Sequence, residues 1–329
     1  MDEESFSIGP EQFPKSKDKR VGKYFFTYQV RDWEIVDYKM WRPIPKCVQF
    51  RGPTIDLDKP YVVFLGAAQV FGPYAEKPFP QLLQEKSTVN SLNLGIGGAS
   101  AGWYLSDKWF GQKRPEKLLE IINKAELCVL QIMSPKNILL EIDTNLRTVA
   151  GSFSSHWQNV EPKEFYNKLK AAKEKWLQDY FELIDKIKIP IYLFDFSHRD
   201  FSFKEDLEGF QASFSGGPKT TFINKVAGFF PQYVDQYMVN ELKKKTDRFY
   251  EYKKRVGLPQ KLTNRFTGED HIRNLDMPMI LRSDINAQDF DPNRISNFQS
   301  YYPSPEMHVG ACDVLLQSDF YKDKLNEIS

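Results

Sequence analysis

The chain has 329 residues, 45 of them basic and 44 acidic, for a formal net charge of +1 at neutral pH. That length suits one α/β core with insertions, and the balanced charge supplies no chain-wide field to hold nucleic acid or an anionic membrane. The three cysteines, Cys47, Cys128 and Cys312, lie far apart without a CxxC pair, which argues against structural zinc and for a reducing, cytoplasmic compartment.

Residues 1–22 are charged, carry Pro and Gly and show no hydrophobic period, so they read as a mobile arm ahead of a single domain over 23–329. They hold no apolar signal-peptide stretch, and no later run approaches the ~20 apolar residues of a spanning helix. Tyr24 to Gly52 is rich in aromatic residues and reads as an edge hairpin or a lid over the core. Aromatic residues make up 15% of the chain; most belong in a core, and some would suit a sugar-binding pocket.

The core begins at Pro60 to Leu65, an apolar, β-branched run ending at Gly66, as expected of a strand buried on both faces. A helix is expected around Pro80 to Lys86, then a short strand from Ser91 to Leu94 that breaks into the loop GIGGASAG. Pro115 suits the first turn of a helix through EKLLEIINKAE, and Leu127 to Met133 forms the third buried strand. A long helix from Pro162 to about Lys188 returns Phe165, Leu169, Trp176, Tyr180, Leu183 and Ile187 to one face. It leads into a fourth strand, Ile189 to Phe196. Buried strands alternating with amphipathic helices imply a three-layer, doubly wound α/β fold with a mainly parallel sheet. Residues 201–302 read as an irregular insertion or lid with a helix within Gln232 to Lys245, and Glu306 to Leu316 as a closing helix.

In such a sheet, ligands bind beyond the carboxyl ends of the strands. Four segments share that address: Gly66 to Gly72, Gly95 to Gly102, Ser134 to Asn137, and Asp195 to Asp200. Gly95, Gly97 and Gly98 would let backbone approach a ligand, as an oxyanion or phosphate cradle or simply as a tight turn. A P-loop pattern is absent, and Gln69 would hold substrate or donate to an oxyanion. Of the histidines His156, His198, His271 and His308, the last stands before the closing helix, where a general base would be presented with Glu306 or Asp313 to orient it. His198, flanked by Asp195 and Asp200, is the second candidate; a capping or surface role is the plain alternative for either.

The segments Phe50 to Pro53, Leu57 to Gly66, Pro78 to Pro80, Asn93 to Gly95 and Val129 to Met133, with the YPSPEMH terminus, resemble an uncharacterised bacterial domain family with the pattern FRGP…PYVxFLG…NLG…VLQxM. The layout is also distantly similar to SGNH (GDSL-type) hydrolases, which implies a flavodoxin/SGNH-like sheet. That resemblance makes Gly95 or Gly97 the oxyanion glycine, Asn137 the family's asparagine and His308 its base. Where the family has Gly-Asp-Ser this chain has Gly66-Ala67-Ala68, and Pro305 stands where the family has the triad aspartate. An acyl-enzyme route needs a hydroxyl within reach of its base, so Ser100 or Ser134 would have to supply one, or His308 would deprotonate an acceptor directly.

Three functional expectations follow. One is an SGNH-like hydrolase or transferase acting on an ester-type group of a carbohydrate, with His308, Ser100, Ser134 and Glu306 as catalytic candidates and Gln69, Gly95, Gly97, Gly98, Asn137, Asp195 and His198 around the substrate. The second is a non-catalytic carbohydrate-binding or scaffold protein on a decayed hydrolase fold. The third is a nucleotide- or CoA-dependent transferase with phosphates at the glycine loop near Lys136 or Arg199. None calls for a metal or a resident cofactor.

Overall fold

The computed structural model describes residues 27–106 except 46, 117–135, 162–197, 233–271 and 301–328, together with 108–109, 112–113, 138, 231, 273–274 and 295–299. Its frame is a five-stranded sheet of β1 (Tyr61–Leu65), β2 (Asn90–Asn93), β3 (Leu127–Gln131), β4 (Ile191–Phe196) and β5 (Arg248–Tyr252), in spatial order β2-β1-β3-β4-β5. Every pairing is parallel, with Val62 beside Ser91 and Leu127, Leu130 beside Leu193, and Phe194 beside Tyr250. All residues of β1, β3 and β4 are buried, as helices on both faces of a parallel sheet require.

The described helices are α1 (Thr27–Asp32), α2 (Ala68–Phe71), α3 (Phe79–Ser87), α4 (Ala101–Leu105), α5 (Lys117–Asn123), α6 (Pro162–Lys186), α7 (Gln236–Lys243), α8 (Pro305–Leu316) and α9 (Asp319–Ile328). One face of the sheet meets α4, α5, α6 and α7 through Trp103, Ile122, Trp176, Tyr180, Leu183 and Met238. The opposite face meets α3, α8 and α9 through Phe79, Leu83, Met307, Ala311, Leu315 and Tyr321. Each such side chain, taken fully out of water, contributes about 1.5–3 kcal/mol as an upper bound. The result is the expected three-layer α/β arrangement.

Several boundaries differ from the expectation for local reasons. The apolar run of β3 continues to Met133, but the ladder stops at Gln131 because the Tyr180 hydroxyl accepts the Met133 N–H and donates to the Gln131 carbonyl, both at 2.7 Å. Trp176 Nε1 donates to the Met133 carbonyl at 2.8 Å, so α6 dictates how the chain leaves β3. The fourth strand starts after Pro190, which has no N–H for a ladder. The segment 201–302 is not wholly an insertion: it supplies α7 and β5 to the core. The arm at 1–22 lies outside the described residues. Among the described residues no helix is long and apolar enough to cross a membrane.

Candidate functional site

Chain order reverses across the β1/β3 boundary: β2 lies to one side of β1, while β3, β4 and β5 follow on the other. In doubly wound sheets of this order the ligand crevice opens beyond the carboxyl ends of those two strands. Here that ground is held by the turn from β1 into α2, the glycine loop after β2 and the exit from β3.

The first turn is fixed by two distant side chains. The Tyr104 hydroxyl accepts the Gly66 N–H at 2.9 Å and lies 2.9 and 2.8 Å from the Gly66 and Leu94 carbonyls, one of which takes its proton. Burial pushes that phenol well above its usual range. From β3, Gln131 Oε1 accepts the Ala67 N–H at 2.8 Å, stitching the two switch-point strands together, while its Nε2 has no hydrogen-bond partner among the described residues. Next comes Gln69, within α2. It is 1% exposed, and among the described residues neither Oε1 nor Nε2 has a hydrogen-bond partner.

The glycine loop is pressed onto α2. Asn93 Oδ1 accepts the Gly95 N–H at 2.9 Å, and Asn93 Nδ2 donates to the Val70 carbonyl at 2.8 Å. A Cβ on Gly95 would stand 2.5 Å from the Phe71 nitrogen, so Gly95 serves close packing, and its N–H is spent on Asn93 and not offered to an oxyanion. Gly97 lies against the Tyr28 hydroxyl, with no room for a Cβ, and Gly98 turns the chain at φ 79°. Ser100 occupies the N-cap position of α4 and is buried, but its hydroxyl does not cap that helix.

A cluster of tyrosines packs against Ala68 of α2. Tyr28 from α1 packs on Phe71 with centroids 5.1 Å apart and approaches Tyr302 edge-on at 6.0 Å, with the two hydroxyls 3.3 Å apart. Tyr74 meets Tyr302 at 5.7 Å, and Ala68, Leu262, Ile35 and Tyr301 complete the cluster. Arg265 secures the strap carrying Tyr28: its N–H and Nε donate to the Glu34 and Trp33 carbonyls, both at 2.8 Å.

His308 differs from the expected base. It is fully buried on α8, its ring stacked on Phe79 at 6.0 Å and edge-on to Phe196 at 5.3 Å. Nδ1 accepts the Phe79 N–H at 3.3 Å, so the proton of the neutral ring resides on Nε2, which faces Gly72 and has no hydrogen-bond partner among the described residues. Burial, helped by the charge of Arg51, lowers its pKa to about 3. A ring in this state presents a donor at Nε2, not a basic lone pair. Glu306 does not orient it: that carboxylate is exposed and lies against Gly257. Asp313 is also exposed and pairs with Lys86 at 2.8 Å.

The remaining candidates separate. Ser134 is buried just past β3. Asp195 is fully buried and ion-paired with Lys253 at 3.4 Å. Asn137 and His198, with Lys136 and Arg199, lie outside the described residues. Among the described residues no cluster of side chains has the makings of a metal site.

Arg51 was not anticipated, yet it shapes the site's far wall. It is 1% exposed, donates to the carbonyls of Phe71, Gly72, Ala75 and Glu76, and lies 4.7 Å above the Tyr38 ring. Burial lowers its pKa to about 10, which leaves it charged at neutral pH. The guanidinium fork thereby fixes the loop between α2 and α3. The only hint in the sequence is a charge inside the otherwise uncharged stretch CVQFRGP.

Residues 26–139 match the family described as Domain of unknown function (DUF6473). No curated protein matches the chain. Similar solved structures include a carbohydrate esterase family 2 enzyme with a carbohydrate-binding domain from Corynascus thermopiles, 11% identical, covering 84% of this chain and 69% of that one at TM-score 0.39. An extracellular lipase from Streptomyces rimosus is 13% identical, covering 82% of this chain and 100% of that one at TM-score 0.36. A G-D-S-L family protein from Desulfitobacterium hafniense DCB-2 is 12% identical, covering 78% and 98% at TM-score 0.31. These likenesses are too remote to carry residue roles, and the site is read from its own geometry.

Proposed function

We propose that the chain recognises a neutral, hydroxyl-rich ligand of carbohydrate type in the crevice above β1 and β3, and that it forms no acyl-enzyme there. The observation that carries this reading is the pairing of Ala67 and Ala68, where a hydrolase of similar layout would carry its nucleophile, with the adjacent buried and unpartnered amide of Gln69. Small ligands take sites that are largely apolar with a few placed polar groups, and the buried amide of Gln69 is a polar group of that kind.

The chemistry of His308 supports the non-covalent part. A serine nucleophile must be hydrogen-bonded to its base, but Nδ1 of His308 is taken by Phe79 and Nε2 has no partner among the described residues, so neither Ser100 nor Ser134 is activated by it. An ester-bearing carbohydrate fits the same reading; loss of its acyl group would pass directly to water or to an acceptor hydroxyl.

A glycan array and a panel of acylated sugars, read by binding and by intact-protein mass, test the proposal. Saturable carbohydrate binding without a covalent adduct is the expected result. An acyl adduct on Ser100 or Ser134, or binding confined to nucleotides and coenzyme A, overturns it.

A further inference from the structure

We infer that Gln69 is the specificity-determining residue of this crevice and takes a vicinal pair of sugar hydroxyls, one donating to Oε1 and the other accepting from Nε2. The inference rests on the carbohydrate reading above and adds to it the identity of the contact. A carboxamide places an acceptor and a donor side by side in one plane. In Gln69 both are buried and both lack a partner among the described residues, although buried polar groups are overwhelmingly hydrogen-bonded.

The complement of that edge is restricted. A phosphate or carboxylate offers acceptors only and would set an anionic oxygen against Oε1, whereas an ammonium offers donors only. A secondary amide in its trans form carries its N–H and C=O on opposite edges, so an N-acetyl group engages one atom of Gln69 and leaves the other dry. Two adjacent hydroxyls satisfy both, because each is donor and acceptor at once.

An apolar cluster packs beside Gln69 in the chain, on its neighbour Ala68, and is made of Tyr74, Leu262 and Tyr302 with Tyr28, Ile35 and Tyr301 against it. The nearby guanidinium of Arg51 is consumed by its four carbonyls. Tyrosine hydroxyls and ring edges suit the mixed polar and C–H surface of a pyranose.

The experiment uses the full chain, titrated with the methyl glycosides of glucose, mannose and galactose and with the 2-, 3- and 4-deoxy analogues of whichever binds. Wild type and Gln69→Met are compared by calorimetry, with circular dichroism to verify that the variant is folded. The expected result is that removing either hydroxyl of one vicinal pair weakens wild type tenfold or more. Gln69→Met weakens the parent glycoside by a similar factor and becomes indifferent to the same deoxygenation, within twofold. If Gln69→Met binds the parent glycoside as wild type does, or keeps the full deoxy penalty, the diol is read elsewhere and this inference fails while the carbohydrate reading stands. If none of the three glycosides binds wild type, both fail together.

Discussion

The Phe79 N–H meets Nδ1 of His308 at 3.3 Å, across 229 residues of chain. That contact fixes the tautomer of a ring held dry against Phe79 and Phe196, and its consequence is a pH dependence. The unfolded chain takes up a proton at His308 near pH 6.5, the folded chain only near 3. Between those values the unfolded state binds more protons, so this group leaves stability undiminished above about pH 6.5 and erodes it as the pH falls toward 3, at up to about 1.4 kcal/mol per pH unit. His308→Asn, whose Oδ1 still accepts from Phe79, should flatten that loss. Urea unfolding at about pH 7.5 and about pH 5 checks it; an equal acid loss in variant and wild type would show that His308 is not its source.

Gln69→Met should stabilise the ligand-free protein by about 1–2 kcal/mol, because it replaces an unpartnered buried amide with an apolar chain of similar shape. A binding group retained at the expense of stability is the familiar trade at functional sites. The measurement is the urea midpoint without ligand, and a drop in the midpoint would mean that Gln69 is bonded in solution.

Arg51→Lys should cost at least about 3 kcal/mol, since an ammonium cannot reproduce the fork that serves four carbonyls and leaves some of them buried and unmet. The same equilibrium unfolding reads it. A loss below about 1 kcal/mol would mean that water replaces the missing donors.

The two glycines of the loop should differ. In Gly95→Ala the new methyl meets the α2 backbone at Phe71, which cannot step aside, whereas in Gly97→Ala it meets the end of the Tyr28 side chain. The first should cost roughly 3 kcal/mol or more, the second about 1–2 kcal/mol with faster amide exchange across 27–32. Equal costs, or exchange in α1 unchanged by Gly97→Ala, would contradict the packing described for the tyrosine cluster.

The central strands were legible because burial on both faces leaves long apolar runs: YVVFL is wholly apolar, LCVLQ is apolar up to Gln131, and IYLFDF is broken only by the buried Asp195. β5 escaped notice for the converse reason: RFYEY lies at the edge of the sheet and buries only Tyr252 fully, so its pattern resembles a loop. α9 was missed although its residues are amphipathic. The carboxyl-end rule selected Gln69 and the glycine loop by address. It could not reveal that Gln131 and Tyr104 pin Gly66 and Ala67 from 64 and 38 residues away, because their partners are backbone groups that carry no side-chain signature. The surroundings of His308 were hidden for the same reason: a histidine beside a helix start has the same letters whatever its ring meets, here a backbone amide and two phenyl rings.

Tyr28 and Tyr302 meet across a sequence separation of 274, their hydroxyls 3.3 Å apart. Segments near the two ends of the polypeptide are thereby tied to one another, and amide exchange in 27–32 and around Tyr302 should rise and fall together.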